Sequence, residues 1–425
     1  MYKYDNSIYD IRILFYSVEC LFCAKNVRSW ANPINSCITM YIAGMARNNK
    51  INAEIECLRA VAILLVLFMH LSALLHWGAP DPPYYGMHEG LFRAIKAFPG
   101  WAGVDLFFCI SGYVISLSFV ELLEQKKAEG KQWVAAKAFW VRRFFRIIPS
   151  AWLWLLVPIV CSIYFNESGT FLTLQDNLRS ATSVFFYVAN FAMLHGWLPN
   201  GIYWSLATEE QFYFLFPIFL ILFAAPSRFK IFLALIAFQL IPDRSEFDSF
   251  FWITRVDAIM WGCVIYQFSK TENYRLLELM LFKRPWIVIV GSFVLIAMLG
   301  LTISLIKIKM VSLVAVWSAM LVLLASYQRG YVLGFPPLIK SIFLWIGSRS
   351  YGLYLIHIPT YYMTYELWFR IAGPDFDSTY TALLVLTALP LLCMLTEINY
   401  RWIEVPLRRK GAAIANRMMA EKTLL

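Results

Sequence analysis

The sequence predicts an all-α, polytopic bundle of membrane helices, and three observations carry that prediction. Hydrophobic residues make up 60% of the chain and charged residues only 15%, against roughly 25% charged in an ordinary soluble domain. The apolar residues gather into runs of about 20, the length at which one helix crosses a bilayer. Aromatic residues are abundant (16 Trp, 23 Tyr and 34 Phe), as in chains whose helix ends sit at the lipid interface. This composition excludes a soluble enzyme, a disordered tail and a nucleic-acid module. The net charge of +10 sits between the apolar runs, where Lys and Arg determine topology.

About ten spans can be read from the apolar runs and their breakers: 58–77, 102–122, 150–166, 206–224, 229–242, 253–268, 286–305, 311–327, 343–369 and 379–400. The segment 181–197 reads as interfacial or re-entrant. With the N-terminus on the cytoplasmic side, 27 Lys and Arg fall inside and 7 outside. That asymmetry puts both termini in the cytoplasm. Arg59, Arg255 and Arg349 remain within spans or at their edges.

Three regions follow: an N-terminal extension (1–50), a membrane domain (51–410) and a cytoplasmic tail (411–425). The extension is polar, aromatic and basic without a signal-peptide pattern. Met45 opens a short basic head followed by a span, so a start at Met45 or Met40 is expected. The alternative is an amphipathic extension on the cytoplasmic face. Of the eight cysteines, Cys57, Cys109, Cys161, Cys263 and Cys393 lie in or beside apolar runs, as small hydrophobes. Cys20 and Cys23 form a lone C-x-x-C, which without a second pair predicts no metal.

Ionisable groups inside spans are the functional candidates, because hydrocarbon penalises them. Arg59 and His70 are eleven residues apart, which puts both on one face of a helix, about 16 Å apart along its axis. A lone membrane histidine more often bonds a neighbouring helix; the shared face with Arg59 favours chemistry. Asp105 opens the second span in GVDLFFCISGYVIS, where Ser111 and Gly112 allow close packing. The functional reading has Asp105 orienting the His70 ring; the bland reading has it snorkelling outward. Arg142, Arg143 and Arg146 lie in an amphipathic loop, with Arg143 and Arg146 on one helical face. Positive-inside retention explains such a loop, and guanidinium forks suited to phosphate explain it equally. Trp204, Glu209, Glu210 and Tyr213 enter the fourth span from outside. His357 lies in the ninth span, and Arg401 and Glu404 read as a local pair.

IECLRAVAILLVLFMH, GVDLFFCISGYVIS, RRFFRIIP, WSLATEEQFYFLFP, RVDAIMWG, SYGLYLIH and YRWIEVPLRR occur in this order between residues 54 and 409. Together they resemble the bacterial integral-membrane acyltransferases of acyltransferase family three, which O-acylate surface glycans. The resemblance implies an acyl-CoA-dependent O-acyltransferase of the bacterial inner (cytoplasmic) membrane, with acetyl-CoA the default co-substrate. It implies no bound cofactor, and a surface polysaccharide, lipopolysaccharide or other glycan, free or lipid-linked, as acceptor. His70 then corresponds to the family's essential histidine and Arg59 to its paired arginine. Arg143 and Arg146 correspond to the pair that contacts acyl-CoA, with Arg142 beside them. Asp105 joins His70 as a catalytic candidate, and Trp204, Glu209, Glu210, His357 and Ser111 are acceptor or supporting candidates. Cys57 stands where the family usually has glycine, and residues 1–50 match nothing in it. The extracytoplasmic hydrolase-like domain of some members is not expected here. A transporter or flippase of a lipid-linked glycan is the alternative, disfavoured because no internal repeat or paired broken span is visible. A purely structural scaffold leaves the shared face of Arg59 and His70 unexplained.

Overall fold

Hydrocarbon offers no partners to backbone N–H and C=O groups, so each apolar run satisfies them internally as a helix. The computed structural model describes residues 52–76, 100–196, 201–242, 244, 249–305, 309–373 and 380–420. The extension with Cys20, Cys23, Met40 and Met45 lies outside the described residues. Every regular element among the described residues is helical. In chain order these are α1 (Ala53–His76), α2 (Ala102–Ala128), α3 (Gln132–Tyr164), α4 (Leu174–Phe185), α5 (Ala189–Leu194), α6 (Tyr203–Leu222), α7 (Ala225–Gln239) and α8 (Phe250–Ile253). There follow α9 (Asp257–Phe268), α10 (Glu272–Phe282), α11 (Pro285–Leu305), α12 (Met310–Ser326), α13 (Pro337–Ser348), α14 (Ser350–Ala372), α15 (Thr381–Asn399) and α16 (Val405–Ala420). A wide π-type turn, Tyr400–Glu404, joins the last two.

The chain divides into two compact units, residues 52–334 with 343–425, and residues 1–51 with 335–342. Of the smaller unit, residues 335–342 are described, and they open α13 at Pro337. Everything below concerns the larger unit.

Helices take up most of the described residues in each of the ten predicted stretches, and five helical stretches among the described residues are long and apolar enough to cross a membrane: 102–128, 132–164, 203–222, 285–302 and 381–420. The chain is an all-α membrane helix bundle. Three features differ from the sequence reading. The basic stretch expected as a loop before residue 150 is the first half of α3, which continues through Pro149 and Pro158. Ala135, Ala136, Ala138 and Phe139 are buried along this half, and α16 packs against it, with Gly411 tight on Phe145. The segment 181–197 forms the end of α4 and all of α5; Thr173 caps α4 by accepting from the Asp176 N–H. The ninth stretch is divided at Arg349, whose side chain turns to Glu397 at 3.0 Å and covers the Tyr400 ring at 4.2 Å.

The helices that position the site meet through glycines. A Cβ on Gly112 would lie 2.0 Å from the Ile259 carbonyl oxygen, and one on Gly262 2.1 Å from that of Cys109. These reciprocal notches let the backbones of α2 and α9 touch, as small residues do in membrane helix pairs. The helices α1 and α14 also pack together, with Tyr361 donating to the Leu67 carbonyl at 3.3 Å.

A Gly262→Leu variant, which overpacks this crossing, should lose roughly 1–3 kcal/mol or more. The control Gly291→Ala, with nothing within 4 Å of the added Cβ, should melt at or above the wild-type temperature in detergent. Equal melting of the leucine variant and wild type would contradict the backbone contact.

Candidate active site

One end of the site is a buried ion-pair assembly. Asp105 sits in the first turn of α2, and both its oxygens accept from Arg255, from Nε at 3.0 Å and Nη2 at 3.0 Å. Both side chains are 0% exposed. The guanidinium is boxed by Trp252, Trp204 and Trp101, whose ring centroids lie 4.0, 4.7 and 5.1 Å away. A planar cation with a bidentate carboxylate and aromatic faces is the arrangement arginine tolerates best when buried. A second pair, Arg244 to Asp257 at 2.9 Å, lies beside it, and Arg244 also bonds Ser312. Asp105 was expected to orient His70; its oxygens are taken up by Arg255 instead. Trp204, expected at the acceptor, stands over the same arginine.

The histidines meet in the interior. His70 Nδ1 is 3.0 Å from the Val66 carbonyl oxygen and 3.2 Å from His357 Nε2. The ring centroids are 5.0 Å apart. His357 is fully buried, and its Nδ1 is 2.7 Å from the Tyr354 carbonyl oxygen. The Tyr354 hydroxyl in turn bonds the Ile202 carbonyl at 2.8 Å and Ser205 at 2.6 Å, joining α14 to α6.

Arginines and a tyrosine form the third part. Tyr213 donates a short hydrogen bond to Glu209 and meets Ser111, whose hydroxyl then serves as donor to the phenol oxygen. Arg143 covers the Tyr213 ring at 4.8 Å and the Phe139 ring at 5.3 Å. Arg146 is within electrostatic reach of Arg143, Arg59 and Arg408. Among the described residues no carboxylate pairs with Arg143 or Arg146, whereas Arg59 pairs with Glu56 at 3.0 Å. One buried oxygen of Glu210 has no hydrogen-bond partner among the described residues. Arg142 points elsewhere, donating to Asn416 on α16 at 2.8 Å.

The structure thus brings together Arg143, Arg146, Arg59, Tyr213, Glu209 and Ser111, and separately His70 with His357. Near the C-terminus the expected Arg401–Glu404 pair is replaced: Arg401 bonds Glu397 at 2.5 Å, and Glu404 accepts from Asn399 at 2.7 Å. The π-type turn shifts the register that an i, i+3 pairing requires. Sequence reasoning missed Arg255 as the partner of Asp105, although an arginine at the edge of an apolar run was the available signal.

Residues 52–397 match the family described as acyltransferase domain. The chain belongs to this family. It is 26% identical over 390 residues to the peptidoglycan O-acetyltransferase OatA of Listeria monocytogenes, covering 84% of this chain and 56% of that protein. It is 27% identical over 405 residues to the O-acetyltransferase OatA of Staphylococcus aureus strain NCTC 8325, covering 84% and 57%. The chain therefore spans just over half the length of these relatives. No solved structure matches it.

Because Asp105 neutralises a fully buried guanidinium, Asp105→Ala should destabilise the protein by about 3–5 kcal/mol through the stranded charge. Size-exclusion profiles and melting in detergent check this. A variant that melts like wild type and loses only turnover would return Asp105 to the role of orienting a catalytic base.

Proposed function

We propose that this chain transfers an acyl group, acetyl by default, from acyl-CoA to a hydroxyl of a surface glycan at the bacterial cytoplasmic membrane. The observation that carries the reading is the pair Arg143 and Arg146, two guanidiniums that form no ion pair with a carboxylate among the described residues. Cations held inside a bundle without a directly bonded carboxylate favour an anionic ligand, and the phosphates of a CoA donor supply one. The relatives named for O-acetylation, one of them of peptidoglycan, support a glycan acceptor.

Each part has a chemical task. Arg143 and Arg146 hold donor phosphates through charge-assisted hydrogen bonds, and the stacking of Arg143 on Tyr213 sets the plane of its fork. The thioester arm extends past Arg59 towards His70, about 16 Å further along α1. His70 accepts the proton of the acceptor hydroxyl as its oxygen attacks the thioester carbonyl carbon. The carbon–sulfur bond breaks, and the CoA thiolate leaves and takes up a proton. Transient acylation of His70 itself is the two-step form of the same transfer. Glu209, bonded to Tyr213, fixes the phenol beneath Arg143.

His70→Ala should abolish transfer of labelled acetyl from acetyl-CoA by the purified protein. Replacing Arg143 and Arg146 together with Ala should mainly raise the Michaelis constant for acetyl-CoA, because binding common to ground and transition states is lost. Each charge-assisted bond lost is worth roughly 1.5–3 kcal/mol. Lys at both positions should restore only part of the affinity, since a point charge does not reproduce the fork. A double-Ala protein with wild-type topology and an unchanged Michaelis constant would rule out this donor site; full activity of the double-Lys protein would leave only topology for the arginines.

A further inference from the structure

We propose that His357 is a positioning residue that holds His70 in one tautomer, with the proton on Nδ1 and a lone pair on Nε2. The proposal rests on the reading of His70 as base or acyl carrier and names which of its atoms reacts.

Donors and acceptors alternate along one chain of contacts from Tyr354 through His357 to His70. His357 Nδ1 lies 2.7 Å from the Tyr354 carbonyl oxygen and 3.2 Å from that of Leu353. A carbonyl oxygen only accepts, so Nδ1 of His357 carries the hydrogen. His357 is 0% exposed and no carboxylate bonds it among the described residues, so burial keeps the ring neutral. A neutral imidazole with hydrogen on one nitrogen presents a lone pair at the other. That lone pair, on Nε2, faces His70 Nδ1 at 3.2 Å.

His70 Nδ1 therefore looks at two acceptors, His357 Nε2 and the Val66 carbonyl oxygen at 3.0 Å. A lone pair on Nδ1 would oppose both. The hydrogen sits there, shared between them, and Nε2 of His70 is left as the open lone pair. Among the described residues it has no hydrogen-bond partner. This is the atom that takes the hydroxyl proton or attacks the thioester carbonyl carbon.

The same contact acts during the reaction. When Nε2 takes up a proton, His70 becomes an imidazolium, and the bond from its Nδ1–H to His357 becomes charge-assisted and stronger. The aspartate of a serine-protease triad selects the tautomer and steadies the cation in this way. In a bundle that penalises unpaired charge, a neutral imidazole gives the support without adding a permanent anion. It transfers no proton, because its own Nδ1–H stays on the Tyr354 carbonyl.

The test uses the full-length protein in detergent or nanodiscs. With nitrogen-15-labelled histidine, and the His70 signals assigned by their loss in His70→Asn, wild type near neutral pH should show Nδ1 protonated and Nε2 not. Wild-type signals with the proton on Nε2 would overturn the proposal whether or not transfer is observed. In His357→Phe, which keeps an aromatic ring but no acceptor, kcat should fall about 100-fold with little change in the Michaelis constant for acetyl-CoA. That is less than the roughly 10⁴-fold cost of a triad aspartate, because Val66 still accepts. His357→Gln, whose side-chain oxygen can replace Nε2 as acceptor, should recover most of that loss. A Phe variant as active as wild type, or more active than the Gln variant, would show that His357 only fills space. No transfer by wild type would instead count against the acyltransferase reading and leave the tautomer result standing.

Discussion

The Asp105–Arg255 pair is made from both ends of a fork, at 3.0 Å for each bond, with neither partner exposed. A buried charge survives in an apolar bundle only when paired, and breaking such a pair costs far more than making it gains; the remaining nitrogen of Arg255, Nη1, has no hydrogen-bond partner among the described residues. The pair joins the first turn of α2 to the residue two before α9, and the tryptophan box adds Trp204 of α6 and Trp252 of α8. Once it is closed, α2 and α9 lie in the register that seats Gly112 and Gly262 against each other's backbones. The helix α1 leans on α2 where a Cβ at Gly103 would strike the Ala62 carbonyl. The position of His70 is thus inherited from an ion pair that takes no part in the proposed chemistry.

Set beside that pair, the charges of the bundle fall into two kinds. Asp105, Asp257, Arg244, Arg255, Arg349 and Glu397 are matched with one another and serve packing. Arg143 leans on the Phe139 and Tyr213 rings, with Arg146 within electrostatic reach, and neither forms an ion pair with a carboxylate among the described residues. In the proposed tautomer the lone pair on His70 is likewise open. A substrate carrying phosphates at one end and an electrophilic carbon at the other fits what is left unmatched.

The class of fold and the helix positions were legible because long apolar runs have one solution in hydrocarbon. The shared face of Arg59 and His70 was legible too, since helical spacing is local. What escaped the sequence is pairing across the bundle. Asp105 and Arg255 are 150 residues apart, and His70 and His357 are 287 apart. An aspartate near a histidine-bearing helix reads as its orienter until the nearer cation is known. The continuity of α3 through Pro149 was hidden because neighbouring helices, and not local propensity, compensate a membrane proline. The break comes at Arg349, whose partners Glu397 and Tyr400 no local pattern shows.

The central claim is that one chain moves an acyl group from a cytoplasmic thioester to a glycan hydroxyl through His70. Proteoliposomes of defined orientation, with labelled acetyl-CoA on the side that exposes Lys126 and Lys131 and acceptor glycan on the other, test it most directly. Label should appear on the glycan in ester linkage, and His70→Ala vesicles should give none. Glycan that stays unlabelled while wild-type protein is inserted and folded, or that is labelled equally by the His70→Ala protein, would contradict the account.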